Sequence, residues 1–295
     1  MEKVESANGL RLKIIGYVSL TFIGYFCIGL PLAVLPVYIH KTLGYSEIVS
    51  GVVISLQYFV TFLLRGYGGK IVDRQGPKLA VKLSMGAFVL SGIFLFFSFR
   101  LVALPWLSLL IMIFSRLTTG IGEGLIGASP INWAMLVVGR NHTATAISYN
   151  GIVSYGALAV GAPLGVISAR YLQPESLAVF TVLLGVGGFF YSLTKPEIKQ
   201  THEEDHSNLL PFFKVLRLVM PYGLCLGLAG IGFGGLSNFI TLYFDYYHWE
   251  NAALCLTIFS IPFIFGRMFF SQYINIYGGL KVGLASVVTE LLGML

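Results

Sequence analysis

The chain has 295 residues, of which 56% are hydrophobic and only 11% are charged. Because an ordinary soluble domain has roughly 25% charged residues, this composition excludes a protein with a water-exposed globular surface. The net charge of +6 does not indicate nucleic-acid binding, since the basic residues stand between apolar segments and form no single patch. Apolar stretches of about 20 residues recur along the chain and predict an all-α membrane protein.

Breaks at charged or turn-forming residues divide the chain into eight complete predicted transmembrane helices. They cover residues 14 to 38, 47 to 67, 79 to 99, 104 to 133, 144 to 169, 177 to 194, 218 to 244 and 252 to 274. A partial ninth helix begins near Val282 and stops at Leu295, which is too short to cross a hydrocarbon core of about 30 Å. We therefore expect a chain truncated at its C-terminus.

Lysine and arginine residues are distributed unequally between alternate loops. Of the 19 basic side chains, Lys41, Arg100 and Arg170 fall on one side, Arg116 falls within a helix, and the rest fall on the side of the N-terminus. Cytoplasmic loops are enriched in lysine and arginine, so the N-terminus and the loop around 195 to 217 are predicted to be cytoplasmic.

Two related bundles are predicted. Residues 1–194 form an N-terminal six-helix bundle, residues 195–217 a polar cytoplasmic linker, and residues 218–295 an incomplete C-terminal bundle. A shift of 202 residues superposes Arg65 on Arg267, Asp73 on Asn275, and Gly76 on Gly278. Self-similarity at a fixed offset is the sequence signature of an internal repeat.

A short charged loop is predicted after the second helix. Its pattern Gly-x-x-x-Asp-Arg-x-Gly-x-Lys consists of Gly69, Asp73, Arg74, Gly76 and Lys78, with Arg65 one turn upstream. A membrane anchor would need only the basic residues, so the acidic Asp73 requires another explanation. The pattern resembles the signature loop of the major facilitator superfamily.

This resemblance implies a conformational latch, in which the acidic residue faces a helix N-terminus. Such a contact stabilises by about 0.3 to 1 kcal/mol when it is exposed. In the second copy Asn275 and Ile276 replace the charged pair, so we expect a latch on one side only.

The fourth predicted helix carries a second motif, with Arg116, Gly120, Gly122, Glu123 and Gly124 in sequence. Arg116 is predicted near the bilayer midplane, where an unpaired cation costs at least about 2.5 to 3.5 kcal/mol. The pattern resembles the fourth-helix motif of the superfamily and implies proton coupling by Arg116. The alternative is a structural arginine bonded to backbone carbonyls. The glycines are expected to allow close helix packing.

Glu123 is predicted to be the proton-responsive group and Arg116 its partner. The two residues are nearly two helical turns apart, about 10 Å, which is too far for a direct salt bridge in a straight helix. We expect coupling through water in a shared cavity. In the alternative, Glu123 lies near the cytoplasmic end, solvated and inert.

The fifth predicted helix is rich in small residues and contains one proline: Gly156, Gly161, Pro163 and Gly165. It resembles the glycine-proline motif of the efflux antiporters of the superfamily, which favours export. Two departures weaken this likeness, since Ala162 separates Gly161 from the proline and no glycine pair follows the proline. The alternative is close packing without directional meaning.

Over the whole chain, the sequence is most similar to the uncharacterised bacterial arabinose-efflux-permease-like branch of the superfamily. This likeness implies the major facilitator fold, a multi-pass protein in a bacterial inner membrane, a monomer, and secondary transport by alternating access. Tyr25, Gln57 and Asn238 are expected in a cavity lined by the first, fourth and seventh helices. The expected function is proton-coupled efflux of a small organic solute that is sugar-like or drug-like.

Three alternatives remain open or are disfavoured by the sequence. Proton-coupled uptake and an inactive truncated remnant remain open. An enzyme is not expected, because the five histidines all lie in or beside loops. No cofactor or metal is expected either, since the zincin-like segment 202–206 has no visible third ligand.

Overall fold

The computed structural model of the protein describes residues 7–139, 142–198, 212–249, 252–270 and 273–294. Within these ranges the chain is helical, which confirms the predicted all-α class. The helices are α1 (Ala7–Leu32), α2 (Leu35–Val37), α3 (Glu47–Gln75), α4 (Pro77–Arg100), α5 (Pro105–Ile126), α6 (Ser129–Val138), α7 (Thr143–Leu172), α8 (Glu175–Leu193), α9 (Phe212–Tyr246), α10 (Ala252–Phe270), α11 (Tyr273–Tyr277) and α12 (Gly279–Met294).

Six segments of the described residues are long and apolar enough to cross a membrane. They are Gly9–Thr42, Glu47–Gln75, Pro77–Arg100, Pro105–Val138, Thr145–Leu172 and Glu175–Leu193. They match the first six predicted helices in order, while their ends differ. The first joins α1 and α2 to a π-helical turn, Tyr38–Thr42, and the fourth joins α5 and α6.

The charged segment after the second predicted helix is a helix where a loop was expected. Helix α3 continues to Gln75, and the chain turns only at Gly76, whose φ of 91° is a conformation that glycine adopts without strain. Pro77 then starts α4, where its missing N–H costs nothing. Charged side chains end an apolar stretch of sequence but do not end a helix, so hydropathy alone placed the end of the second helix too early in the chain. Helix α9 begins at Phe212 rather than at 218 for the same reason.

Helices α4 and α5 are joined by an antiparallel ladder of hydroxyl groups. Ser84, Ser91 and Ser98, seven residues apart, bond to Gly122, Ser115 and Ser108 in reverse order. The Ser91 hydroxyl also lies 2.6 Å from Thr119 Oγ1. These bonds fix the register of α5 against α4, which sets the depth of the polar residues on the opposite face of α5.

Helix α7 packs closely against α1 through glycine. A Cβ added at Gly161 would lie 3.3 Å from the Gly29 backbone, and one added at Gly165 would overlap the Leu30 carbonyl. Pro163 lies within this stretch of α7. On another side of α7, Thr257 of α10 donates a hydrogen bond of 2.8 Å to the Ala159 carbonyl. Helix α7 therefore contacts both the first helix and the later part of the chain.

The repeat predicted from the sequence has a counterpart in the backbone. Gly278 has a φ of 83°, close to the 91° of Gly76, and each glycine directly precedes the start of a helix. A matching turn at the two positions is what an offset of 202 residues requires.

Candidate functional site

A buried polar cluster lies between α3 and α5. Gln57, Thr61 and Arg65 follow one face of α3 at intervals of four residues, and Glu123 of α5 faces them. Gln57 Nε2 donates to Glu123 Oε2 at 2.9 Å, and the Thr61 hydroxyl lies 3.1 Å from the same oxygen. Glu123 is only 7% exposed, so its carboxylate is held by protein groups rather than by bulk water.

Gln57 bridges Glu123 to Arg116. Arg116 Nη1 donates to Gln57 Oε1 at 3.1 Å, while the amide nitrogen of Gln57 donates to the carboxylate. A guanidinium only donates and an ionised carboxylate only accepts, so the two ends of the Gln57 amide have distinct partners. One side chain therefore connects Arg116 and Glu123 by hydrogen bonds.

Arg116 is buried, at 4% exposure, and is incompletely bonded. Its second described partner is the Ser115 hydroxyl, 3.3 Å from Nη2, and its Nε has no partner among the described residues. A guanidinium has five N–H donors, so this arginine retains capacity for another acceptor. Its bonds to side chains differ from the backbone-carbonyl arrangement considered above.

Glycines bring the two helices close enough for this cluster to form. A Cβ added at Gly120 would lie 2.5 Å from the Gln57 carbonyl, and one at Gly124 would lie 3.3 Å from the Thr61 carbonyl. Gly122 faces the other way, where an added Cβ would lie 3.0 Å from the Phe88 ring of α4. The glycines of the motif thus alternate between the two neighbours of α5.

A cavity of about 330 Å³ adjoins Glu123. Its polar wall comes from α1, α3, α5 and α7 and consists of Tyr25, Arg65, Glu123, Asn150, Ser154 and Tyr155. Its apolar wall includes Ile131, Ile147 and Leu158. The seventh predicted helix, α9, was expected to line the cavity, but none of its described residues does so.

Arg65 and Glu123 share this cavity without a direct ion pair. Ion pairs within 4.0 Å join Lys41 to Asp245 and Arg100 to Glu175, and neither involves Arg65 or Glu123. Arg65 nevertheless lies near Glu123, since its Nη2 is 4.0 Å from a Cβ added at Gly127, one turn along α5. Both charges therefore remain available to a molecule in the cavity.

Helix α7 contributes two hydrogen-bonding side chains to the opposite part of the wall. The Thr21 hydroxyl of α1 donates to Asn150 Oδ1 at 2.8 Å, which leaves the amide nitrogen of Asn150 as a donor. The Ser154 hydroxyl donates to the backbone carbonyl of Asn150 at 2.7 Å, which leaves Ser154 Oγ as an acceptor.

The three predicted cavity residues have different positions. Tyr25 lies on the wall of the cavity beside Glu123. Gln57 is 3% exposed and lies behind the wall, within the polar cluster. Asn238 is part of helix α9, but its side chain lies outside the described residues. A separate apolar groove of about 730 Å³ between α3 and α9 is lined by Phe59, Phe239 and Tyr243 among others.

The residues of the predicted latch do not form one cluster. Asp73 and Arg74 are exposed at the end of α3, and Gly69 lies within that helix. Lys78 donates to the carbonyls of Leu193 and Lys195 at 3.0 and 2.6 Å, so it caps the end of α8. Arg65 lies at the cavity described above.

Some expectations concern residues that the structure does not describe. The zincin-like segment, residues 202–206, lies outside the described ranges, as does most of the predicted linker. Within the described part of the chain, no group of three or more potential metal ligands is found.

Sequence reasoning missed four residues of the site. Thr61 could have been found from its position midway between Gln57 and Arg65, one turn from each. Asn150, Ser154 and Tyr155 could have been found as a polar stripe inside an apolar helix, because Asn150 and Ser154 are four residues apart.

Comparisons with known proteins agree with this membrane architecture. The sequence profile of the Major Facilitator Superfamily matches residues 17–295. The chain belongs to the Major Facilitator Superfamily. It is 42% identical over 290 residues to an uncharacterized MFS-type transporter of Burkholderia pseudomallei (strain 1106a), covering 98% of this chain and 70% of that protein.

Other relatives give the same picture. An uncharacterized MFS-type transporter of Burkholderia mallei (strain SAVP1) is 42% identical, with the same coverage of both chains. One from Pseudomonas aeruginosa (strain LESB58) is 45% identical over 288 residues, covering 98% of this chain and 71% of that protein. The predicted superfamily is confirmed, and with it a multi-pass membrane protein of a secondary transporter family.

Proposed function

We propose that the protein exports a small organic solute in exchange for protons, by alternating access, with Glu123 as the group that exchanges the proton. The observation that carries this proposal is the position of Glu123. Its carboxylate is buried, is anchored through one oxygen, and adjoins a cavity that could hold a solute. Ionisable residues inside membrane helices are expensive and mark functional pathways by default.

Anchoring through a single oxygen suits proton exchange. Gln57 and Thr61 occupy Oε2, and no described residue bonds to Oε1. The buried unpartnered atoms of the described residues are Tyr38 Oη, Arg116 Nε and Trp133 Nε1, so Oε1 is not sealed away from the cavity. A proton can therefore bind Oε1 without breaking the two hydrogen bonds that hold the side chain.

Charges around Glu123 determine how readily it takes a proton. Arg65 of α3 lines the same cavity, and Arg116 of α5 is joined to Glu123 through Gln57. Nearby cations favour the ionised form of a carboxyl group. Tyr25 of α1 and Tyr155 of α7 share the cavity and can exchange hydrogen bonds with solute or water. A change in water access during alternating access would alter this balance, which is the requirement for coupling.

The proposed latch is a separate device at the end of α3. Gly76 makes the turn, and Asp73 and Arg74 are exposed where another part of the protein can reach them. An anion facing a helix N-terminus there would stabilise one conformation by about 0.3 to 1 kcal/mol. Lys78 contributes by anchoring the start of α4 to the end of α8.

Export is favoured over uptake by the small residues of α7. Gly161 and Gly165 bring α7 against α1 around Pro163, in the pattern that resembles the efflux antiporters. The second candidate is uptake by symport, in which the solute and the proton pass through the same cavity in the same direction. The assay below separates the two by the direction of the pH change.

The test uses proteoliposomes that contain a trapped pH-sensitive dye. L-arabinose, ethidium and L-leucine are added as probes of three solute classes, and the internal pH is followed. In antiport, solute entry moves protons out of the liposomes, so the internal pH rises. In symport, solute entry brings protons in, so the internal pH falls. Glu123→Gln keeps an acceptor for Gln57 but cannot exchange a proton, so pH-driven transport should stop.

Infrared difference spectroscopy provides a readout that needs no solute. Acid titration of the wild-type protein should show the C=O stretch of a protonated carboxyl group that Glu123→Gln lacks. Solute-dependent changes of internal pH that are equal in wild type and Glu123→Gln would contradict the proposal.

A further inference from the structure

The cavity beside Glu123 has both a fixed cation and an exposed carboxylate oxygen on its wall. Arg65 and Glu123 line the same space of about 330 Å³, yet no ion pair within 4.0 Å joins them among the described residues. Glu123 is buried, whereas Arg65 is exposed. Their separation leaves room between them for a ligand that satisfies both.

The two charges differ in what they can bind. The ionised Glu123 carboxylate only accepts hydrogen bonds, and Oε1 is the oxygen that Gln57 and Thr61 do not contact. Arg65 donates only, and its planar fork matches a carboxylate. A ligand that bridges them therefore has a donor, ideally cationic, at one end and an anionic group at the other.

The volume of the cavity suits a small ligand. A volume of about 330 Å³ corresponds to about 11 water molecules, at about 30 Å³ each. This is at the lower end of the roughly 300 to 1,000 Å³ of drug-binding pockets. The cavity therefore fits a solute the size of an amino acid or a monosaccharide.

The remaining wall has an apolar patch, formed by Ile131, Ile147 and Leu158, which suits a short apolar side chain. The rest of it is hydrogen-bonding and does not by itself discriminate against hydroxyl groups, so the charged pair decides the class of ligand. A neutral sugar would leave the buried carboxylate of Glu123 without a charged partner, which is costly away from water.

We propose that this cavity binds a small zwitterion of the amino-acid class, with its ammonium group at Glu123 Oε1 and its carboxylate at Arg65. The inference rests on the proposed role of Glu123 in proton exchange and explains it further. The ammonium group and a proton compete for the same oxygen, so the solute and the proton bind alternately. Mutually exclusive binding at one site is what antiport requires.

The test measures binding of tritiated L-leucine to the purified protein in lipid nanodiscs. Competitors are L-leucine methyl ester, which lacks the negative charge, N-acetyl-L-leucine, which lacks the positive charge, and D-xylose, which has neither. We expect each singly charged analogue to bind at least about tenfold more weakly than L-leucine, because each loses one charged hydrogen-bond partner. Binding of L-leucine should fall on acidification as a proton occupies Glu123.

Variants separate the two ends of the site. Glu123→Gln should lose L-leucine and the methyl ester but keep N-acetyl-L-leucine, whereas Arg65→Gln should lose L-leucine and N-acetyl-L-leucine. Arg65→Lys keeps the charge and should restore part of the binding. Lys70→Gln, an exposed change on the same helix, is the matched control and should bind as wild type. Thermal unfolding of each variant checks that it is folded.

Two results would overturn the assignment. One is competition by D-xylose equal to that by unlabelled L-leucine, and the other is the absence of L-leucine binding at every pH tested. Either result, together with a carboxyl infrared band that disappears in Glu123→Gln, would refute the zwitterion and leave the proposed proton exchange intact. If that band persists in Glu123→Gln, the proposed function itself fails.

Discussion

Replacing Gly120 by alanine should separate α3 from α5 at the polar cluster. The new Cβ would lie 2.5 Å from the Gln57 carbonyl oxygen and 2.8 Å from Val60 Cβ. Both neighbours are close to the backbone of α3 and cannot rotate away, so the helices must move apart until the contact reaches about 3.4 Å. Overpacking of this kind typically costs about 1 to 3 kcal/mol.

The same substitution also stabilises the helix, and a matched control variant measures that effect separately. Alanine is a better helix former than glycine by up to about 1 kcal/mol. At Gly66, on α3, an added Cβ meets no atom within 4 Å, so Gly66→Ala has the helical benefit without the clash. We expect Gly66→Ala to be neutral or slightly stabilising and Gly120→Ala to be destabilising.

Thermal unfolding of the purified protein in detergent measures this difference. About 1 kcal/mol shifts the Tm of a domain of 150–250 residues by ~2–4 °C, so Gly120→Ala should melt several degrees below Gly66→Ala. Separation of the helices should also weaken the bonds of Gln57 to Arg116 and Glu123. Equal melting temperatures for the two variants would refute the close packing of α5 on α3.

Three further predictions address the hydroxyl ladder, the latch and the topology. Ser91→Ala removes the hydrogen bonds from α4 to Ser115 and Thr119 and should lower the free energy of unfolding by about 0.6 kcal/mol. Chemical denaturation measures this loss, with Ser286→Ala as the control, because the Ser286 hydroxyl bonds within its own helix. Asp73→Asn should impair transport and leave membrane insertion intact, because the neutral side chain loses its attraction to a helix dipole; normal transport rates in that variant would remove the latch. A membrane-impermeant thiol reagent applied from outside should label His248→Cys and spare Glu204→Cys, and the reverse pattern would invert the topology.

Helix positions could be predicted because lipid imposes a length. A segment that crosses about 30 Å of hydrocarbon needs about 20 apolar residues, and this requirement identifies the first six spans from composition alone. The turn at Gly76 was predictable as well, since the charged motif needs glycine there and the second copy repeats it at Gly278. His248 was not predictable, because its φ of 55° is one that a non-glycine residue seldom adopts.

The role of Gln57 could not be obtained from sequence. Periodicity places Gln57, Thr61 and Arg65 on one face of α3, but it does not fix which residue of α5 lies opposite. That register depends on the contacts of Gly120 with α3 and of the hydroxyl ladder with α4, both of which are tertiary. Without that register, Gln57 could not be placed between Arg116 and Glu123, and their spacing along one helix suggested water as the connection between them.

Charge accounting connects the polar cluster to the direction of transport. Arg65 and Arg116 keep their charges, so binding of a proton to Glu123 changes the sum over these three groups from about +1 to about +2. An uncompensated charge is costly in a low-dielectric site, so the protonated empty state is disfavoured unless water reaches the cavity. A zwitterion bound to ionised Glu123 leaves the sum at about +1 while giving both Glu123 and Arg65 a charged partner. On the proposed mechanism, closure of the protonated, solute-free protein should therefore be slower than closure of the loaded protein, and it should limit the rate of exchange.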